Sequence, residues 1–143
     1  MNKYDLNSLS VFYVPDEVDK LRVKTLKVGH VGEGPITYWM SRDQRVNDNW
    51  ALLYAQEVAL NLKRPLWVIF CLVPSFLDAT IRQYGFMLRA LVEVQKKLIA
   101  KNISFFLLHG DPAYEIPLFV KKHNIAMLIS DFDPLKIKRR WKE

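Results

Sequence analysis

The residues best placed to contact a ligand follow the ends of the predicted strands. The carboxyl ends of parallel strands meet at one edge of an open α/β sheet, and ligands bind in the crevice beyond that edge. Helix N-termini face the same edge and favour an anionic group there. The sequence therefore predicts a ligand site, with no side chain assigned to catalysis, that is formed by Met40, Ser41, Arg42, Leu72, Asp131 and Phe132.

Residue types that perform catalytic or metal chemistry lack the necessary spacing. His30, His109 and His123 lie far apart, with no Cys, Asp or His at metal-ligand spacing. No serine stands in a nucleophile elbow, and the five glycines form neither GxGxxG nor a P-loop. These patterns predict no metal site and argue against a phosphate loop. Cys71, the one cysteine, lies inside an apolar run and is expected to be a buried, unreactive thiol.

A polar cluster follows the first predicted strand. Asp48 and Asn49 are suited to capping the next helix, and Arg45 can pair with the Asp43 carboxylate to fix the loop. We therefore interpret Asp48 and Asn49 as structural. For Arg42 and Arg45, the sequence favours neither a structural role nor ligand contact.

Apolar strands alternate with amphipathic helices and position these residues. Strands that are apolar throughout imply a parallel sheet covered on both faces, and right-handed crossovers then favour a Rossmann-like, doubly wound α/β fold. In chain order the sequence predicts a helix over 16–28, strand 36–40, a helix from Asn47 or Asp48 to about Leu62, strand 66–72, a helix opened by Pro74, strand 104–108, a short helix, strand 125–129, and a helix with Asp133 as N-cap and Pro134 at its first position.

Composition narrows the class of protein. The 143 residues are half hydrophobic and one quarter charged, as in an ordinary soluble domain. The net charge of +6 is concentrated near the two ends, so we do not expect this domain to grip DNA by itself. We see no membrane span and no signal peptide, and a single cysteine is typical of the reducing cytoplasm.

Several segments carry a family resemblance. Residues 39–45 read Trp-Met-Ser-Arg-Asp-Gln-Arg and residues 48–52 read Asp-Asn-Trp-Ala-Leu, which resembles the opening of the class II cyclobutane-pyrimidine-dimer DNA photolyases. The similarity continues through 68–73, 82–88 and 105–112 and covers roughly residues 20–142. Residues 131–135 are similar to a family motif that usually reads Asp-Phe-Ser-Pro-Leu-Arg, so Asp133 and Lys136 are departures.

The resemblance implies an N-terminal α/β antenna domain over 16–143, preceded by an extension over 1–15 that is compatible with disorder. In that family the domain can hold a deazaflavin or a folate, which passes excitation to FAD in a helical C-terminal domain. The reduced flavin then splits pyrimidine dimers. Positions for FAD and for DNA belong to the helical domain, so this chain is expected to reach DNA only through the full-length protein and to be inactive in repair alone.

Three functional hypotheses stay open. The first is an antenna domain that is a fragment of a class II photolyase, since the basic last helix is still running at Glu143. The second is a stand-alone nucleotide- or cofactor-binding α/β module. The third is a truncated, photolyase-like relic that acts as an interaction domain and self-associates through the face that a helical domain would cover.

Overall fold

The computed structural model describes residues 18–29 and 31–143. The extension over 1–15, the start of the helix predicted from residue 16, and His30 lie outside the described residues.

The four strands form one parallel sheet. They are β1 (Ile36–Trp39), β2 (Leu66–Leu72), β3 (Ser104–His109) and β4 (Met127–Ser130), and their order across the sheet is β3-β2-β1-β4. In the register, Ile36 of β1 lies opposite Leu66 of β2 on one side and Met127 of β4 on the other. The chain moves outward from β1 to β3 and then returns to the far side of β1. The predicted Rossmann-like, doubly wound α/β fold is therefore confirmed.

Helices cover both faces of the sheet. They are α1 (Trp50–Leu62), α2 (Ile81–Ile99), α3 (Pro112–Lys122) and the short α4 (Lys136–Arg140). Alternation along the strands sends neighbouring side chains to opposite faces. Side chains such as Tyr38 and Val68 pack with α1 and α2, whereas Trp39 and Ile69 pack with α3 on the other face.

Helix starts carry the expected capping chemistry, with corrected positions. Asn49, not Asn47 or Asp48, caps α1, and its side chain accepts a hydrogen bond from the Leu52 backbone N–H at 3.0 Å. Asp48 cannot continue a helix because its φ is +51°. The helix predicted from Pro74 begins only at Ile81, since Leu77 and Asp78 take positive φ values of 45° and 58°.

Two further predictions are wrong in the described residues. The helix predicted over 16–28 is reduced to a single 3₁₀ turn, Lys20–Arg22. Val18 is buried, but Leu21 and Leu26 on the same predicted face are 94% and 61% exposed, so packing stabilises too little of this short segment to hold it as a helix. The last helix starts at Lys136, not Pro134, although the Asp133 carboxylate still accepts a hydrogen bond from the Leu135 N–H at 3.1 Å.

Within residues 18–29 and 31–143, none of the helices combines the length and the apolar character needed to span a membrane.

Candidate functional site

A cavity of about 290 Å³ lies at the carboxyl edge of the two central strands. Its inner wall consists of the ends of β1 and β2, residues 39–41 and 70–73. Its outer wall consists of Phe76, the first turns of α2 with Gln83, Tyr84 and Met87, and the C-terminal Lys138 and Trp141. The position is the crevice that the fold predicts for a ligand.

The structure brings three of the six predicted site residues into this cavity. Met40, Ser41 and Leu72 line the inner wall. Arg42 does not line the cavity and its side chain is exposed, and Phe132 is 78% exposed. Asp131 is buried below the cavity and does not line it. Ligand contact by these residues stays a prediction.

The Asp131 carboxylate fixes the loop that follows β1. One oxygen, Oδ2, accepts hydrogen bonds from the backbone N–H groups of Ser41, Arg42 and Asp43 at 2.9, 2.8 and 3.2 Å. The other, Oδ1, accepts the Tyr38 hydroxyl at 2.5 Å. Because β4 delivers Asp131 next to the end of β1, this one side chain joins two neighbouring strand ends and fixes the inner wall.

Tyr38 and Asn49 complete this buried network. The Asn49 amide donates to the Tyr38 hydroxyl, to Asp43 O and to Arg45 O, each at 3.0 Å. Burial, and then the negative charge of Asp131, raise the pKa of Tyr38 well above its usual range. The phenol therefore stays neutral and acts as a donor. The structural interpretation of Asn49 is confirmed.

Arg45 also serves the loop. Its guanidinium lies 3.2 Å from the Asp43 carboxylate and donates to Asp48 O at 2.9 Å. This is the expected Arg–carboxylate pair, and it is solvent-exposed. An exposed pair of this kind contributes little to stability, so it orients the loop more than it stabilises the fold.

Two lysines of the C-terminal segment contact two aspartates: Lys138, which lines the cavity, pairs with Asp133, and Lys142 contacts Asp131. Lys138 Nζ lies 3.1 Å from Asp133 Oδ2, and their side chains are 15% and 2% exposed. Lys142 Nζ donates to Asp131 O and lies 5.7 Å from the centre of the Trp39 ring. Burial lowers the pKa of Lys142, and the negative charges of Asp131 and Asp133 act against this lowering. The basic C-terminal segment thus packs against the sheet edge at these two points.

Three of the outer-wall residues are aromatic: Phe76, Tyr84 and Trp141. The rings of Phe76 and Trp141 lie 5.9 Å apart, and Lys138 Nζ lies 5.5 Å from the Phe76 ring centre. The Tyr84 hydroxyl donates to Val73 O at 3.0 Å, which fixes the first turn of α2 to the end of β2. The cavity therefore presents flat apolar surfaces and one ammonium group.

Cys71 lies in the cavity wall but offers no nucleophile. Burial, and then the charges of Glu115 and Asp111, raise its pKa to about 11, so the thiol is protonated at neutral pH. The prediction of a buried, unreactive cysteine is confirmed. In the part of the chain that the structure describes, no three His, Cys, Asp or Glu side chains are arranged to hold a metal ion.

The outer wall was missed by reasoning from sequence. Tyr84 and Met87 belong to an apolar helical stripe, which predicts core packing equally well, and Lys138 and Trp141 belong to a basic segment that predicts a solvated helix face. One signal was available. The first turn of a helix that follows a parallel strand faces the same edge as the strand end, and Gln83 and Tyr84 occupy that turn of α2.

Comparisons with known proteins agree with this architecture. The family model described as DNA photolyase matches residues 36–143. The chain is similar to a deoxyribodipyrimidine photo-lyase of Potorous tridactylus, at 55% identity over 104 residues, which is 73% of this chain and 20% of that protein. A protein of the same name from Arabidopsis thaliana is 44% identical over 110 residues, 77% of this chain and 22% of that protein.

A more distant relative shows the same partial coverage. The deoxyribodipyrimidine photo-lyase of Methanothermobacter thermautotrophicus is 32% identical over 108 residues, 74% of this chain and 23% of that protein. The chain therefore spans about a fifth of the length of the curated relatives that it matches.

Proposed function

The chain belongs to the DNA photolyase family, and on that premise we propose that its α/β domain holds a light-absorbing antenna chromophore. The activity it would serve is the light-driven repair of pyrimidine dimers, as the name of its relatives implies. The similar segments favour the class II branch of the family, and the domain would extend over residues 16–143.

The cavity at the carboxyl edge of β1 and β2 carries this proposal. Its volume, about 290 Å³, is at the lower end of what small-molecule sites occupy. It suits the flat ring system of a deazaflavin or of the pterin of a folate, with a longer tail left outside. Aromatic and apolar lining with a few polar groups is also the usual character of such sites.

Each wall has a distinct task in holding such a ring. Met40 and Leu72 would pack against it, while Phe76 and Trp141 would flank it and exclude water. Asp131 would act indirectly, by holding the loop from Ser41 in place. We propose that Arg42 and Phe132, which are exposed, contact only the part of the ligand that protrudes.

The bound chromophore would absorb near-ultraviolet or blue light and pass its excitation to a flavin. We propose that FAD and the damaged DNA are bound by the helical region of the longer relatives and not by this domain. The described cavity suits a single ring system and not a dinucleotide. The 143-residue chain alone is accordingly proposed to be inactive in repair, and its free, buried Cys71 suits the cytoplasm.

Spectroscopy of the purified chain tests the antenna proposal. Absorption and fluorescence would be recorded before and after incubation with a deazaflavin, a folate and FAD. We expect uptake of one of the first two, lost when Leu72→Trp fills the cavity and retained in Glu93→Gln, which changes an exposed side chain of α2 outside the cavity lining. A folded protein that takes up none of them would contradict the proposal.

A second function, as an interaction domain, is favoured by one observation. The outer side of α2 exposes large apolar side chains: Ile81 is 86% exposed and Phe86 is 72% exposed. Such a patch suits contact with a helical region or with a second copy of this chain. Sedimentation analysis of the wild type and of Phe86→Glu tests it, since self-association through α2 would be lost in the variant.

A further inference from the structure

We propose that Lys138 determines the ligand specificity of the cavity, and that its buried ion pair with Asp133 selects an uncharged aromatic ring bearing a carbonyl-type acceptor over an anionic one. The inference rests on the proposed function in taking the same cavity as the ligand site. It adds the charge class of the ligand, which neither the fold nor the size of the cavity decides.

Lys138 is the cationic side chain in the cavity wall, and its charge is already paired. Its ammonium lies 3.1 Å from Asp133 Oδ2 and 3.5 Å from Ser41 O. An ammonium group has three N–H donors and these two contacts engage at most two of them, so at least one donor is left for an acceptor in the cavity that Lys138 lines. The site thus offers a hydrogen-bond donor without an excess positive charge.

The surrounding charges do not favour an anion either. Lys142 donates to the backbone carbonyl of Asp131, and the charges of Asp131 and Asp133 act on its ammonium. Cys71 and Tyr38 are neutral, because burial raises the pKa of both, and the negative charges of Glu115 and Asp111 act on Cys71 in the cavity wall. An anion beside Lys138 would compete with the Asp133 carboxylate, which already pairs with that ammonium.

Backbone donors that could hold an anion are also occupied. The three N–H groups after β1, from Ser41 to Asp43, donate to the Asp131 carboxylate. At the start of α3 the Asp111 carboxylate accepts from the Ala113 N–H at 2.9 Å. The loop after β1 and the first turn of α3, two places that could favour an anion, are therefore already bound by the chain's own carboxylates.

A pair of fluorescent probes with the same ring tests the inference directly. We would titrate the full chain with 7-methoxycoumarin-3-carboxamide, which is uncharged, and with 7-methoxycoumarin-3-carboxylate, which is anionic. The wild type is expected to bind the carboxamide about tenfold more tightly. Asp133→Asn, which frees the Lys138 charge, should raise carboxylate affinity by about tenfold and change carboxamide affinity by less than about twofold.

Further variants assign the effect to the pair. In the double variant Asp133→Asn with Lys138→Met, the gain in carboxylate affinity should disappear, because the freed charge is removed. Glu93→Gln is the matched control: it removes a carboxylate from the exposed Lys96 pair on α2 and should change neither affinity. If Asp133→Asn fails to fold, Asp133→Ser keeps an acceptor for the Leu135 N–H and serves in its place.

The possible results separate this inference from the antenna proposal. The inference would be overturned if Asp133→Asn changed the affinity for both probes equally. It would also be overturned if the wild type bound the carboxylate more tightly, or if it bound neither probe. A chain that shows the expected probe pattern but takes up no deazaflavin or folate would sustain it and contradict the antenna function. Uptake of those chromophores without any Asp133 effect would overturn the inference alone.

Discussion

The two walls of the cavity are held by different forces. The inner wall is fixed by Asp131, which is buried and accepts four hydrogen bonds from Tyr38 and the loop after β1. The outer wall depends on ring contacts between Phe76 and Trp141 and on one ion pair, Lys138 with Asp133. Buried hydrogen bonds have strict geometry, whereas ring packing tolerates small shifts. The inner wall therefore defines the site, and the outer wall can adapt it to a ligand.

The largest expected effect comes from removing the centre of the inner wall. Asp131→Ala leaves three backbone N–H groups and the Tyr38 hydroxyl without their acceptor, so we expect the free energy of unfolding to fall by about 3 kcal/mol or more. Urea denaturation followed by circular dichroism measures it. If the free energy of unfolding fell by less than about 1 kcal/mol, the hydrogen bonds of Asp131 would not be what fixes the inner wall.

Tyr38→Phe makes a smaller break in the same network. It removes the hydroxyl shared by Asp131 and Asn49, and we expect a loss of about 1–2 kcal/mol at neutral pH.

The same variant tests the pH dependence of stability. Since burial raises the folded-state pKa of Tyr38, its contribution is complete below the unfolded-state value of about 10 and is lost as the pH rises above it. The wild type should therefore lose stability above about pH 10. Tyr38→Phe should lose less stability over the same pH range. Burial also raises the pKa of Tyr54, so Tyr54 should account for part of the loss that remains in the variant. Denaturation curves at pH 8 to 11 would compare them, and identical slopes would contradict the assignment.

Trp141→Ala breaks the outer wall and sharpens the comparison. The variant opens one side of the cavity by removing the ring that packs on Phe76. We expect the affinity for an aromatic probe to fall about tenfold, while the free energy of unfolding falls by only about 1 kcal/mol, because Trp141 is half-buried. Fluorescence titration and urea denaturation on the same sample separate the two effects. A loss of stability as large as that of Asp131→Ala would contradict the distinction.

The smallest effect is expected at the loop surface beside the inner wall. Asp43→Asn removes the charge that pairs with Arg45 at 3.2 Å but keeps the backbone N–H that donates to Asp131. The free energy of unfolding should change by less than about 0.5 kcal/mol, and the change should shrink further in high salt. Denaturation at low and high ionic strength provides the measurement.

The same two walls show how far the sequence alone could lead. The inner wall follows from local pattern: apolar runs predict β1 and β2, and the fold places Met40, Ser41 and Leu72 at one edge. The outer wall depends on tertiary packing. Nothing in the local sequence shows that Lys138 and Trp141 return to the sheet edge, because their pattern is equally typical of an exposed basic helix.

Packing also explains the failed helix predictions. The segment over 16–28 has a helical pattern, but of its described apolar side chains Val18 is buried while Leu21 and Leu26 are exposed, and a single 3₁₀ turn results. The start of α2 failed for a local reason. Leu77 and Asp78 adopt left-handed backbone conformations that no propensity of Pro74 or Ser75 could indicate.

Chemical labelling of Cys71 provides a measure of how often the site opens. It is the sole cysteine of the chain, it lines the cavity, and its thiol is protonated at neutral pH. Because Cys71 is 8% exposed, its labelling by a bulky thiol reagent reports how often the native protein opens locally. A ligand that binds only the closed form would slow that labelling in proportion to its occupancy, even when the ligand itself has no colour.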